Sequence, residues 1–200
     1  MKGSIIIVSF FVVGLLLGIN FDQLAEFCSG NLSRYILYAM MLIVGMGIGC
    51  DKEALNALRT QNKRVILLPL GTIAGTLLGA LAVYPLVSSI ELKDTLAVAS
   101  GLGYYSLSSI MLTEYRGAEI GTIALLSNVI REVGTILTAP LMVRYFGRLS
   151  TVSAAGAASI DTLLPIITRF SGKEFIVIAI FHGLVMEITV PVLVTIFASL

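Results

Sequence analysis

Five polar side chains stand where the chain is otherwise apolar enough to lie in a lipid bilayer: Asn128, Arg131, Glu132, Asp161 and Glu187. A charge at the middle of a membrane span costs roughly 2.5–3.5 kcal/mol on insertion scales, so such groups face a cavity or a partner. Asn128, Arg131 and Glu132 fall at i, i+3 and i+4 and share one helix face, either as a polar clamp between helices or as part of a binding surface. Asp161 lies in "GAASIDTLLP", between a run of small residues and Pro165, where a helix must break or begin. A carboxylate there either caps a helix start or meets a ligand. Glu187 stands five residues after His182, the only histidine, and roughly on its side of a helix, which makes the two a candidate pair. A lone histidine beside Gly183 reads as a satisfied polar group before it reads as a proton relay. Ser159 and Thr162 beside Asp161, and Tyr104, Tyr105 and Ser106 in "GLGYYSLSS", add hydroxyls. The two tyrosines also offer a cation–π face to an ammonium ligand, or anchor at the membrane interface.

This inventory does not make an enzyme. An intramembrane aspartyl protease needs two facing aspartates, yet Asp22, Asp51 and Asp94 all fall in loops. A serine–histidine dyad would have to recruit His182 to a serine without a glycine-flanked nucleophile motif. One histidine and two separated cysteines hold no metal, and no cofactor motif is present. Cys28 and Cys50 flank an apolar run, which places them at opposite bilayer faces as free thiols.

The elements that position these groups are helices in a membrane. The 200 residues are 57% hydrophobic and 12% charged, against about a quarter charged in a soluble domain. A net charge of +1 and the lack of a basic–aromatic cluster set nucleic acid aside. Hydropathy marks spans at residues 4–21, 35–49, 65–90, 120–146 and 175–200. The first is retained, since no small-residue cleavage site follows it. Glycines four apart (Gly14 and Gly18, Gly45 and Gly49, then Gly71, Gly75 and Gly79) suit close helix packing. Residues 96–113 and 150–170 are different: rich in Gly, Ser and Ala, only weakly apolar, and each followed by a strong span carrying Glu132 or Glu187.

At an offset of 53, Gly103, Ser106, Ser108, Ser109 and Arg116 fall on Gly156, Ser159, Asp161, Thr162 and Arg169. After a two-residue slip, Gly117, Glu119 and Glu132 fall on Gly172, Glu174 and Glu187. Interrupted segments in corresponding positions of two repeats point to a transporter's binding site, because unwound backbone is tolerated only where it lines a cavity. If both weak segments dip in and return, nine of the 13 Lys and Arg residues lie inside, three lie outside, and Arg131 is in the membrane. Seven full spans would give eight inside and four outside. The positive-inside rule favours re-entrant segments. The expected fold is all-α and membrane-integral: about five spans and two re-entrant or broken segments forming an inverted repeat. Residues 1–94 make a three-helix scaffold and 95–200 a transport core of two repeats, 95–148 and 149–200.

"SGLGYYSLSSIMLTE", "LLSNVIREVGTILTAPL" and "SAAGAASIDTLLPIITRFSG" resemble signature segments of the LysO-type lysine exporter family of bacteria, over nearly the whole chain and most closely from about residue 95. The resemblance implies export of L-lysine and its toxic analogues across the bacterial cytoplasmic membrane, and a role for membrane carboxylates, with Asp161 at the matching aspartate. Family members are generally longer, with an extra N-terminal membrane region that brings another acidic residue. A separately encoded small membrane subunit or a homo-oligomer is therefore the expected completion. The expected mechanism exchanges lysine for protons, with Asp161 first and Glu132 second as coupling carboxylate, and Arg131 or free backbone N–H groups on the substrate carboxylate. The alternatives are a non-transporting scaffold or regulatory subunit, or a transporter of another amino acid or a cation.

Overall fold

The structure, a computed structural model, describes Val65, residues 67–86 and residues 90–200, with isolated residues between 13 and 50. The spans expected at 4–21 and 35–49, with Cys28 and the first two glycine pairs, lie largely or wholly outside the described residues. Two compact units divide the chain, Met1–Ile43 and Val44–Leu200, and the elements below belong to the second. Among the described residues there is no strand.

Three helices are long and apolar enough to cross a membrane. They are α1 (Leu67–Val83, extended by a 3-10 turn at Tyr84–Leu86), α4 (Ala118–Phe146) and α7 (Ile176–Ala198, preceded by a 3-10 turn at Lys173–Phe175). Their bounds lie within a few residues of the hydropathy reading. On α4 the exposed Leu126, Ile130, Val133 and Leu137 recur at helical spacing and form an apolar stripe suited to lipid. The opposite face buries Ala124, Asn128, Thr135 and Ala139.

Between these helices the small-residue segments break. The first gives α2 (Leu92–Ala99) and α3 (Tyr105–Arg116). The second gives α5 (Ser150–Ala155), a 3-10 turn (Gly156–Ser159) and α6 (Leu164–Phe170), with Pro165 in the first turn of α6, where its missing N–H is no loss. Even α3, the longest piece, spans only about 18 Å of a ~30 Å hydrocarbon layer.

Each broken segment returns to the side it left. Arg116, the last residue of α3, donates from Nε to Asp94 Oδ1 of α2 at 2.6 Å, and its guanidinium lies 3.6 Å from Glu91. In the second segment Arg148 meets Glu174 at 2.7 Å, and the hydroxyls of Thr151 and Ser171 are 2.5 Å apart. Both are hairpins closed at the base by an arginine–carboxylate pair. Because α4 starts at the base of one and ends at the base of the other, the bases sit at opposite ends of a helix about 44 Å long. With Cys28 and Cys50 replaced by serine, a cysteine at position 150 should label only from the cytoplasm and one at 117 only from outside. Cytoplasmic labelling at 117 would overturn the inverted arrangement.

The two hairpins meet tip to tip. Ala157 donates its N–H to the carbonyl of Leu102 at 2.9 Å, and Gly103 donates to Asn128 Oδ1 at 2.7 Å. Gly103 and Gly156, the pair superposed by the offset of 53, both have positive φ, +93° and +63°. A Cβ on Gly103 would lie 2.7 Å from the Ala155 carbonyl oxygen, and one on Gly156 only 2.0 Å from that of Leu102. Only glycine fits either place.

Candidate functional site

The tip crossing builds a small cleft of about 70 Å³. The first turn of α3 contributes Tyr104, Tyr105 and Ser106, the second break contributes Ala157, Ala158, Asp161 and Thr162, and α7 contributes Glu187. Six of the ten side chains singled out by sequence thus share one cavity: Asp161, Glu187, Tyr104, Tyr105, Ser106 and Thr162. Two carboxylates, one exposed and one half-buried, look into it.

Asp161 does not cap a helix start. The residue preceding α6 is Leu163, without a side-chain cap, and the Asp161 carboxylate accepts only the N–H of Thr162, at 2.5 Å. Its other oxygen has no hydrogen bond among the described residues. In the same cleft α3 begins at Tyr105, preceded by Tyr104 without a side-chain cap, so its first-turn N–H groups, which have no intrahelical acceptor, bring partial positive charge to the lining. The site therefore pairs acceptors for ammonium groups with donors for a carboxylate.

The other four side chains lie elsewhere. Asn128 is 4% exposed and works as a clamp: Oδ1 takes the Gly103 N–H, and Nδ2 donates to the Ala124 carbonyl at 2.8 Å. Arg131 donates from Nε to the Ala154 carbonyl at 2.8 Å and from Nη2 to that of Ser153 at 3.2 Å, where α5 ends and its carbonyls carry partial negative charge. Glu132 sits half-buried on α4 and lines none of the cavities described. Ser159 is fully buried, its Oγ 2.7 Å from the Gly156 carbonyl and 2.9 Å from that of Ala179. Ser159→Ala is expected to cost about 1 kcal/mol and to lower the unfolding temperature in detergent, with the cleft unaltered.

The expected pairing of His182 with Glu187 is not formed. His182 is fully buried, with Nε2 3.0 Å from Thr72 Oγ1 of α1 and Nδ1 3.4 Å from Ser159 Oγ. Five residues carry the chain about 140° past one full turn, so the imidazole turns to α1 while Glu187 turns to the cleft. Thr72 also meets Ser153 Oγ at 2.6 Å, completing a polar tie between α1, α5 and α7. Sequence reasoning missed Thr72, Ser153 and the backbone walls Ala157 and Ala158, and had Gly103 only as a repeat marker. Only the small-residue composition of the second break signalled Ala157 and Ala158. Among the described residues no cluster could hold a metal ion.

The family model for the lysine exporter LysO matches residues 8–198 of this chain. A protein of Escherichia coli named "Lysine exporter LysO" is 30% identical over 194 residues, which is 97% of this chain and 62% of that one. A protein of Haemophilus influenzae named "Putative lysine exporter" is 28% identical over 188 residues, 94% of each. This chain therefore spans less than two thirds of the length of the Escherichia coli relative. No solved structure matches.

Proposed function

Because the chain belongs to the lysine exporter LysO family, we propose that it exports L-lysine, and lysine analogues, across the bacterial cytoplasmic membrane in exchange for protons. The observation that carries the reading is the cleft, whose lining brings Asp161 and Glu187 together with the start of α3. Lysine presents two ammonium groups and one carboxylate. The two acids suit the former, the α3 N–H groups suit the latter, and the rings of Tyr104 and Tyr105 flank the path with faces that favour a cation. Moving one positive charge out against an inside-negative potential costs about 2.3 kcal/mol per 100 mV, so uncoupled export would run backwards. A carboxylate that holds either an ammonium or a proton couples the two flows. Asp161 has this role first, and Glu187 shares the site.

In this reading residues 95–148 and 149–200 are the two inverted repeats of a transport core, and residues 1–94 are its scaffold. The transporting unit is either two copies of this chain or this chain with a small membrane subunit. In an exporter-deficient strain loaded with a lysine-containing dipeptide, expression of the chain should raise efflux of labelled lysine at least tenfold. Inserted protein without added efflux, both alone and beside a small neighbouring subunit, would leave the scaffold reading instead. Efflux from the chain alone selects the homo-oligomer.

A further inference from the structure

A second, open cavity of about 360 Å³ lies between α1, α4 and α5. Its floor is Arg131, near the middle of α4, and its mouth is at Phe146 and Ser150, beside the base of the second hairpin. Thr72, Thr76 and Ser153 give its walls hydroxyls, and Gly71 and Gly75 leave one side bare. The corresponding space along the other half of α4, between α1 and α2, is mainly apolar, lined by Val83, Ile90, Val98 and Ile123 with the hydroxyl residues Thr76, Thr95 and Ser127, and holds no charged side chain. Among the described residues, then, the more polar of these two spaces, and the one that reaches Arg131 beside the hairpin tips, lies on the second hairpin's side. The partition at its end is thin: a Cβ on Gly156 would lie 3.4 Å from Arg131 Nη2, and the next residue, Ala157, already lines the cleft.

We infer that this cavity is a second station for the transported amino acid, where Arg131 anchors its α-carboxylate on the cytoplasmic side of the tip crossing. Two of the five guanidinium N–H donors hold α5, and Nη1 is uncommitted among the described residues. A carboxylate on Nη1 orients the solute with its acid end inward. The ε-ammonium then lies toward the open end, at Ser150, and no acidic residue among those described lines the cavity. Such a station demands the α-carboxylate, so it accepts lysine and refuses 1,5-diaminopentane, which keeps both ammonium groups and lacks the acid. The inference rests on the lysine-export reading and adds a residue and a selectivity to it.

The test uses purified protein in proteoliposomes. At Gly75 and at Gly134 an added Cβ meets nothing within 4 Å, and only Gly75 lines the cavity. Gly75→Leu should lower lysine flux at least tenfold, while Gly134→Leu transports as the parent does. In a background with Cys28 and Cys50 changed to serine, Thr76→Cys should react with a cationic methanethiosulfonate reagent, and modification after folding should block flux to the same degree. Lysine should slow that reaction at least threefold, and 1,5-diaminopentane should not. Unchanged flux after both blocks, or equal protection by the diamine, overturns the station. Absence of lysine flux in the parent protein sinks the export reading alone, because the protection measurement needs no transport and still decides whether lysine occupies the cavity.

Discussion

Asp161→Asn protein is expected to fold, insert and remain monodisperse in detergent, yet to export almost no lysine. Asparagine keeps the oxygen that accepts the Thr162 N–H, the only hydrogen bond the carboxylate makes among the described residues, and α6 starts at Leu164 without help from this side chain. The substitution removes the negative charge. A charge-assisted hydrogen bond contributes roughly 1.5–3 kcal/mol, about 10- to 100-fold in affinity, and loss of the exchangeable proton also abolishes drive from a pH gradient. Efflux of labelled lysine under an imposed pH gradient measures both. Asp161→Glu should recover part of the flux. Near-parental efflux from Asp161→Asn would remove Asp161 from the mechanism and move the search to Glu187, its neighbour across the cleft, and then to Glu132.

The largest effect on the fold is expected at Gly156. Alanine there puts a methyl group 2.0 Å from the Leu102 carbonyl oxygen and also carries the strain of φ +63°. Left-handed backbone costs a non-glycine residue about 1–2 kcal/mol and overpacking a further 1–3, so the tips must separate. Gly147→Ala isolates the first contribution, since φ is +86° there and nothing lies within 4 Å of the new carbon. Gly156→Ala should lower the unfolding temperature in detergent several times more than Gly147→Ala does. Equal shifts would mean that the tips do not pack as described.

Much of the architecture was legible because its causes are local. Runs of apolar side chains set α1, α4 and α7, and a surplus of Gly, Ser and Ala, with Pro165, marked where helices stop. Charge counting favoured hairpins only by a margin of one residue, whereas the contacts of Arg116 with Asp94 and Arg148 with Glu174 close both segments on themselves. Sequence had used Arg116 and Glu174 as repeat markers and Asp94 and Arg148 as loop charges, without pairing any of them. Spacing tells which side chains share a helix face, not what that face meets. Asn128 and Arg131 therefore read as ligands as readily as clamps, and only the hairpin tips, 22 to 25 residues away, decide where their hydrogen bonds go. His182 finds Thr72 across 110 residues of sequence, a separation no pattern encodes.

The tip contacts also set an order of events during synthesis. When the ribosome has delivered the first hairpin, the N–H of Gly103 has no acceptor until Asn128 emerges, and the carbonyl of Leu102 waits for Ala157, 55 residues behind it. A weakly apolar segment with bare backbone groups does not partition into lipid unaided. Residues 92–116 must therefore wait outside the hydrocarbon, or in the insertion channel, until α4 has crossed. They take their place only when the second hairpin arrives from the opposite side. The two half-site walls are thus completed together, late, and by each other, so a nascent chain halted before residue 157 would hold α4 in the membrane without a finished cleft.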